Sequence, residues 1–380
     1  MTGTCAESPR VLIADDQADL IDALRLMLKA EGIHIDAVTS PDATLAAVST
    51  GSYDLLLMDL NYTGDTTSGR EGIDLVTRVR ALDNLLPVIV MTGWGSVDLA
   101  VEAMRRGVRD FVQKPWDNQH LIATLRAEIE AGRARRLQVE HEVREFEEAR
   151  RIQRKLLPAA MPHVEGLEIT AAWQPASGVG GDCYDALAFG KTKLAVSIAD
   201  VVGKGIPAAL LMSNLQATVR AFGTEAAQPA ELCQQVNHVL CGHIAEGRFI
   251  SFCYCVIDVE VGTAAYCNAG HYPPILVRAD GTVERLSSGG PVLGVFATGK
   301  YEQAQTALRS GDRLVMYTDG ITDSRNAADE EFGEDRLVAL AIENRGCSAP
   351  ALQARLGAAV ASFTGGRFQD DATLIVVAVE

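Results

Sequence analysis

The rhythm of apolar and polar positions changes twice along the chain, dividing it into three stretches. From residue 10 to 116, short unbroken apolar runs alternate with stretches of helical spacing. VLIA is followed by Leu20, Ile21, Leu24, Met27 and Leu28 at helix intervals, then by LLLMDL, VIVMTG and DFVQK. Unbroken apolar strands between amphipathic helices are what a parallel sheet covered on both faces requires, so an α/β domain is predicted here.

From Asp117 to Leu157 there is no proline and a single glycine, Gly132, while charges of both signs alternate through ARRLQVEHEVREFEEARRIQRK. One long helix is predicted, closed by Pro158 and Pro162. Val139, Val143 and Phe146 follow a seven-residue rhythm, and Ile152 with Leu156 continue the stripe after a shift of register. The stripe predicts a coiled-coil seam and hence a homodimer; the other reading is a solvated helix packed on its own domains.

Beyond Pro162, the runs LEITAAW, KLAVSIAD, SFCYCVIDV and AAYCNAG are separated by glycine-rich turns and interrupted by two helical segments, GIPAALLMSNLQATVRAF and PAELCQQVNHVLCGHI. Helical stretches at Glu334 to Glu343 and Ala349 to Phe363 precede a last strand, ATLIVVAV. This pattern predicts two packed sheets with helical outer layers.

Composition agrees with that division. At 380 residues, with 48% apolar and 22% charged positions, two domains and a connector are expected. No apolar run approaches the roughly eighteen residues that span a bilayer. The N-terminal MTGTCAESPR has neither a charged n-region nor an apolar h-region, so no secretory signal is expected and a cytoplasmic location follows. A net charge of −16 argues against nucleic acid, whose phosphates demand clustered Lys and Arg. The eight cysteines are too scattered for a disulfide framework, and reduced thiols are expected. Cys253 and Cys255 share one sheet face; core packing is the reading, because Cys-x-Cys alone is a weak metal signal.

Candidate chemistry sits at strand ends. In the first domain Asp15 and Asp16 follow VLIA, Asp59 ends LLLMD, Thr92 ends VIVMT, and Lys114 precedes Pro115 after FVQ. Those are the ends where open parallel sheets place their sites, and a carboxylate cluster there suits a hard Mg²⁺ ion. Taken one at a time, these aspartates are ordinary caps and turn formers. In this order and spacing they resemble the receiver domain of bacterial response regulators, over residues 10–130. The resemblance implies a flavodoxin-like, five-stranded parallel sheet, a sensor histidine kinase as partner, Asp59 as phosphoacceptor and Mg²⁺ held by Asp15, Asp16 and Asp59. It also implies that Lys114 pairs with the acyl phosphate, Thr92 bonds its oxygens and Phe111 changes rotamer with the switch. The loop NYTGDTTSGREG after Asp59 is longer than receivers usually carry, and Asp65 within it is a solvated loop carboxylate or a further approach to the metal.

Four acidic motifs recur in the last stretch: GVGGDCYD with Asp182 and Asp185, IADVVGKG with Asp200, MYTDG with Asp319, and FQDDAT with Asp370 and Asp371. Carboxylates at strand ends, flanked by glycines that let backbones approach, suit an oxygen-ligated pair of divalent cations. With QRKLLP at 153–158 and NAGHYPP at 268–274, these motifs resemble the SpoIIE/RsbU-like branch of PPM-type protein phosphatases. The resemblance implies a phosphatase domain over 160–380, of two packed, mainly antiparallel sheets flanked by helices, joined to the receiver by a helical linker over 117–157. It implies two Mn²⁺ or Mg²⁺ ions, bridged by Asp200 and joined by the Val201 carbonyl. Asp182 would act mainly through an intervening water, with Asp319 and Asp370 completing the shell; Asp371 is the alternative to Asp370, which begins the Asp-x-x-Thr pattern.

The implied reaction is hydrolysis of phosphoserine or phosphothreonine on a small regulatory protein of the anti-anti-sigma type, controlled by Asp59. No side-chain nucleophile is needed, and neither Gly-x-Ser-x-Gly nor Cys-x₅-Arg is present. His271 is a candidate acid or, in its Gly-His-Tyr-Pro-Pro turn, a structural residue. No basic residue stands near Asp182 in sequence to clamp the substrate phosphate; Lys204 is the candidate. Two rival readings are a non-catalytic phosphatase-like module that sequesters a partner, and a receiver with a DNA-binding output. The second lacks a basic helix-turn-helix after the linker.

Overall fold

The structure, a computed structural model, describes residues 8–61, 70–93, 97–244 and 247–380. Cys5 and Asp65 lie outside the described residues. By internal contacts the chain forms two compact units, residues 1–144 and 145–380, and the division falls within one helix.

The first unit alternates strands and helices without exception: β1 Arg10–Ala14, α1 Ala18–Ala30, β2 His34–Val38, α2 Pro41–Thr50, β3 Leu55–Asp59, α3 Arg70–Leu82, β4 Val88–Thr92, α4 Val97–Arg105 and β5 Asp110–Gln113. The strands pair in parallel in the order β2-β1-β3-β4-β5, the five-stranded sheet that the receiver resemblance implies. LLLMD of β3 is buried throughout because helices cover both faces of the central strands. The order reverses between β1 and β3, which opens a crevice at their carboxyl ends.

The helix α5, Asn118–Leu156, runs unbroken for 39 residues as its composition predicts. Leu121, Leu125 and Ile129 bury its first turns in the core of the first unit. Arg133 then forks onto Asp54 at 2.6 and 2.9 Å, and Arg136 reaches Asp83 at 2.5 Å. Farther on, Val139 and Val143 of the predicted stripe stay exposed, as do Leu137 and Ile152. Phe146 lies against Gly178, where a Cβ would come within 2.8 Å of its ring.

The second unit is a sandwich. Its elements are β6 Leu167–Gln174, β7 Cys183–Phe189, β8 Lys193–Val201, α6 Ile206–Phe222, α7 Pro229–Leu240, β9 Ile250–Asp258, β10 Thr263–Ala269, β11 Ile275–Val277, β12 Val283–Arg285 and β13 Gly289–Gly290. They continue through β14 Ala304–Ala307, β15 Arg313–Tyr317, α8 Asp319–Thr322, α9 Glu334–Glu343, α10 Ala349–Thr364 and β16 Ala372–Val379. One sheet runs β13-β10-β9-β8-β7, with β14 also on β10; the other runs β12-β11-β15-β16-β6. All these pairings are antiparallel except β10 with β13.

Strand β16 shows why ATLIVVAV is apolar at every position but Thr373. Ile375, Val377 and Val379 face the core between the sheets, while Leu374, Val376 and Ala378 lie under α9 and α10. Alternation with both faces covered admits a polar residue only where it finds a partner, as Thr373 does at the start of the strand. Strand β7, which no run in the sequence singled out, pairs with β8 directly after Asp182.

Candidate functional site

In the first unit β1 and β3 are level at Ala14 and Met58, so Asp15 and Asp59 emerge side by side. Both are buried, with 0% and 5% exposure. Lys114, just past β5, reaches them at 2.8 Å (Asp15 Oδ2) and 2.7 Å (Asp59 Oδ2). Burial alone would lower the Lys114 pKa, but the hydrogen bonds to the two carboxylates outweigh it and hold the ammonium above its ordinary value. The remaining carboxylate oxygens accept from backbone: Asp15 Oδ1 from Gln17 at 2.8 Å and Asp59 Oδ1 from Asn61 at 3.3 Å. Thr92 ends β4, the strand between β3 and β5. Asp16 is partly exposed beside Asp15, and Phe111 on β5 is 49% exposed.

In the second unit both sheets contribute carboxylates at strand ends. Asp182 precedes β7 and Asp200 lies near the end of β8 in one sheet; Asp319 follows β15, and Asp370 and Asp371 precede β16 in the other. Asp182 joins the sheets: it is 1% exposed, and its Oδ2 accepts from Thr318 at 2.7 Å and Thr373 at 2.5 Å. Its Oδ1 is buried with no partner among the described residues, an expensive state for a carboxylate oxygen. Asp371 accepts from the Ala176 and Gly181 backbone amides at 2.8 and 2.6 Å. Asp370 instead pairs with Lys204 at 3.0 Å, and the same ammonium donates to the Gln369 carbonyl at 2.6 Å.

The carboxylates repel one another. Burial, then the charges of Asp319, Asp370 and Asp371, push the Asp200 pKa up to about 7. Burial and the neighbouring Asp200 raise Asp182 well above the usual carboxylate range, and burial with Asp370 and Asp323 raises Asp319. Gly181 permits the close approach at the centre: a Cβ there would sit 2.7 Å from the Val201 carbonyl oxygen. Gly320 likewise abuts the Asp371 backbone.

Among the described residues, no three acidic, imidazole or thiol groups converge closely enough to enclose a cation as they stand. The donor set nevertheless fits divalent cations: hard oxygen ligands, an orphaned Asp182 oxygen, and like charges with little to offset them besides Lys204.

Several supporting residues left little mark in the sequence. Thr318 and Thr373 fall inside motifs noticed for their aspartates. Gln153, in the last turn of α5, is buried and clasps Gly180, donating to its carbonyl at 2.6 Å and accepting from its amide at 3.0 Å. His271 is structural: Nδ1 meets Ser251 Oγ at 2.7 Å and Nε2 meets the Tyr317 carbonyl at 3.1 Å, tying β9 opposite Asp200 to β15 just before Asp319. Burial lowers its pKa to about 4, so the ring is neutral, with Nε2 donating. Asp185, grouped by sequence with Asp182, is taken up by Arg220 at 2.6 and 3.0 Å. The seven described cysteines are free, and burial pushes the Cys255 thiol up to about 12, in keeping with a packing role.

Comparison with known proteins matches two family models: Stage II sporulation protein E (SpoIIE) over residues 190–380, and response regulator receiver domain over residues 11–126. The phosphoserine phosphatase RsbU of Bacillus subtilis is 31% identical over 235 residues, 61% of this chain and 69% of the relative. Protein IcfG of Synechocystis sp. is 30% identical over 261 residues, 61% of this chain but only 41% of its own length. The SiaA-PP2C domain of Pseudomonas aeruginosa superposes with a TM-score of 0.57 at 20% identity, over 64% of this chain and 99% of that one, which speaks to fold alone.

Proposed function

The chain belongs to the SpoIIE family, with a response regulator receiver ahead of a PP2C-type phosphatase domain, and from that premise we propose that it is a metal-dependent protein serine/threonine phosphatase switched by phosphorylation of Asp59. The observation that carries the reading is the convergence of Asp182, Asp200, Asp319, Asp370 and Asp371 from the ends of two packed sheets, with Asp200 pushed up to about 7. A fold tolerates such repulsion where the charge serves a ligand. The two families typically use Mg²⁺ or Mn²⁺. On this reading Asp200, the Val201 carbonyl, Asp319 and Asp370 hold two such ions, with Asp182 acting through water, and Asp15, Asp16 and Asp59 hold Mg²⁺ in the receiver. Divalent cations so held would lower the pKa of water towards neutrality and offset charge on the phosphoryl group. The chain itself supplies orientation: Thr318 and Thr373 fix one Asp182 oxygen and leave the other free.

The substrate proposed is a phosphoserine or phosphothreonine regulatory protein of the anti-anti-sigma type, with a sensor histidine kinase upstream, in the cytoplasm. The described helices include none long and apolar enough to cross a membrane. The exposed Leu137, Val139 and Val143 on α5 support a homodimer through that helix. A partner-sequestering module without catalysis has less in its favour, because the four acidic motifs are all present.

Metal linkage tests the reading cheaply. An Asp200 pKa raised above its unfolded value means the metal-free fold binds more protons than the unfolded chain between about pH 4 and 7, so its stability falls as pH rises through that window. Metal-free protein should therefore melt lower at pH 8 than at pH 5. At pH 8, Mn²⁺ at about 100 times its Kd should add about 2.7 kcal/mol, or roughly 5–10 °C in the melting midpoint of a domain this size. Release of phosphate from a phosphoserine peptide should follow the same Mn²⁺ titration and stop with EDTA. A midpoint and turnover both indifferent to Mn²⁺ would remove the metal site.

For the receiver, acetyl phosphate with Mg²⁺ is expected to label Asp59. The Asp59→Asn variant should take up less than about a hundredth of the label while melting within a few degrees of wild type, because the amide keeps the shape and loses the nucleophile. Acid-stable label on another residue, with Asp59 unmodified, would contradict the assignment.

A further inference from the structure

We propose that Arg248, together with Lys204, forms the subsite that holds the phosphate of a phosphoserine segment at the mouth of the acidic centre; this rests on the phosphatase reading above. A serine phosphate carries about −1.5 to −2 charges at neutral pH. It must approach a basin of five aspartates in a chain of net charge −16. Recognition there needs cations besides the metals, and no basic residue near Asp182 in sequence offers one.

The β8–β9 ladder brings one in. Asp200 pairs with Ser251 and Val201 with Ile250, and the Val202 amide continues the ladder by donating to the Phe249 carbonyl at 3.1 Å. Arg248 therefore falls opposite Gly203, where a Cβ would sit 3.9 Å from its guanidinium Nη1. That level is three residues beyond Asp200, roughly 10 Å along the strand. Arg248 is half-buried and forms no ion pair or hydrogen bond among the described residues, whereas Arg220, Arg278, Arg285 and Arg325 of the second unit are each held by a carboxylate. An arginine without a carboxylate, on the strand that pairs with the one carrying Asp200, is a fork left open for an anion.

Lys204, next along the same loop, already answers the cluster through Asp370, and half its side chain remains exposed. The surrounding surface suits a peptide rather than a small ester. Phe249, Ile206 and Leu210 stand exposed on the segments that carry the two cations, offering apolar contact to residues beside the phosphoserine. The loop also runs into the N-terminus of α6, whose N-cap Gly205 has no side-chain cap, so the helix adds positive potential on the same side.

The test is binding of a short leucine-flanked peptide carrying a non-hydrolysable phosphonate analogue of phosphoserine, compared with its plain serine counterpart. Fluorescence anisotropy would be read on the full chain in Mn²⁺. Wild type is expected to prefer the phosphonate peptide at least tenfold. Arg248→Ala should lose most of that preference and Arg248→Lys should keep part of it, which separates lost charge from a damaged fold. Equal preference in wild type and Arg248→Ala would overturn the subsite, as would a wild type indifferent to the phosphonate. Binding that depends on Arg248 without hydrolysis of the phosphoserine peptide would leave the subsite standing and remove the phosphatase reading instead.

Discussion

Replacing Asp200 by alanine is expected to lower kcat on a phosphoserine peptide by about three orders of magnitude at saturating Mn²⁺, equivalent to about 4 kcal/mol of transition-state stabilisation. Asp200 is the carboxylate most surrounded by like charge: Asp319, Asp370 and Asp371 all raise it. On the proposed reading, cations held there would offset that charge, so Asp200 is the ligand whose loss should cost most. The same variant should melt higher than wild type in EDTA at pH 8, because a buried charge held among like charges has been removed. Loss of activity with gain of metal-free stability is a signature that a merely structural aspartate would not give. A tenth of wild-type turnover surviving in saturating metal would show that Asp200 does not hold the cations.

The Asp370 and Asp371 pair can be separated by the same two measurements. Asp371 already serves two backbone amides, of Ala176 and Gly181, whereas Asp370 faces Lys204 and solvent. Removing a carboxylate that satisfies buried amides costs about 1–3 kcal/mol of stability. Asp371→Ala should therefore destabilise the metal-free fold, and Asp370→Ala should instead raise the Mn²⁺ concentration needed for activity.

The periodicity of the chain made the architecture legible because the central strands bury both faces. LLLMD and ATLIVVAV read as covered strands, and α5 holds no proline and a single glycine, Gly132, too little to interrupt it. Aspartates at strand ends were legible for the same reason, since a strand's end is visible in the pattern. What stayed hidden were the relations between distant segments. Nothing local marks Thr318 and Thr373 as the residues that grip Asp182, or Asp185 as the partner of Arg220 rather than a companion of Asp182. Arg248 was hidden too, because it is far from Asp200 in sequence and only the pairing of β8 with β9 brings the two segments together. Strand β7 escaped notice because its polar start, Cys-Tyr-Asp, reads as part of a motif and not of a strand.

Beryllofluoride bound at Asp59 is expected to change the turnover of the full chain about tenfold, and Gln153→Ala should abolish that response. A tenfold change asks for only about 1.4 kcal/mol of differential stabilisation. The route is α5, which begins four residues after Lys114, the lysine bonded to Asp59, and ends two residues before Pro158. A helix of 39 residues is about 58 Å long. Its first turns are fixed to the receiver by Leu121, Leu125 and Ile129 and by Arg133 on Asp54. Its last turn holds Gly180 through the nitrogen and the oxygen of the Gln153 side-chain amide, and Gly180 precedes the Gly181–Asp182 step of the acidic centre. A rotation or shift of the helix therefore acts on the backbone that sets Asp182. Breaking the clasp removes two buried hydrogen bonds, about 1–3 kcal/mol, which is as large as the coupling to be carried. Activation is the expected sign, since an output released on signal is the simpler circuit; inhibition would use the same contacts in reverse. Turnover would be compared for wild type and Gln153→Ala, each with and without beryllofluoride, and for a fragment covering residues 145–380. Wild-type rates that do not move with beryllofluoride would end the coupling claim. A response that survives Gln153→Ala would place it on another route, and a monomer at micromolar concentration would exclude a helix pair as the moving part.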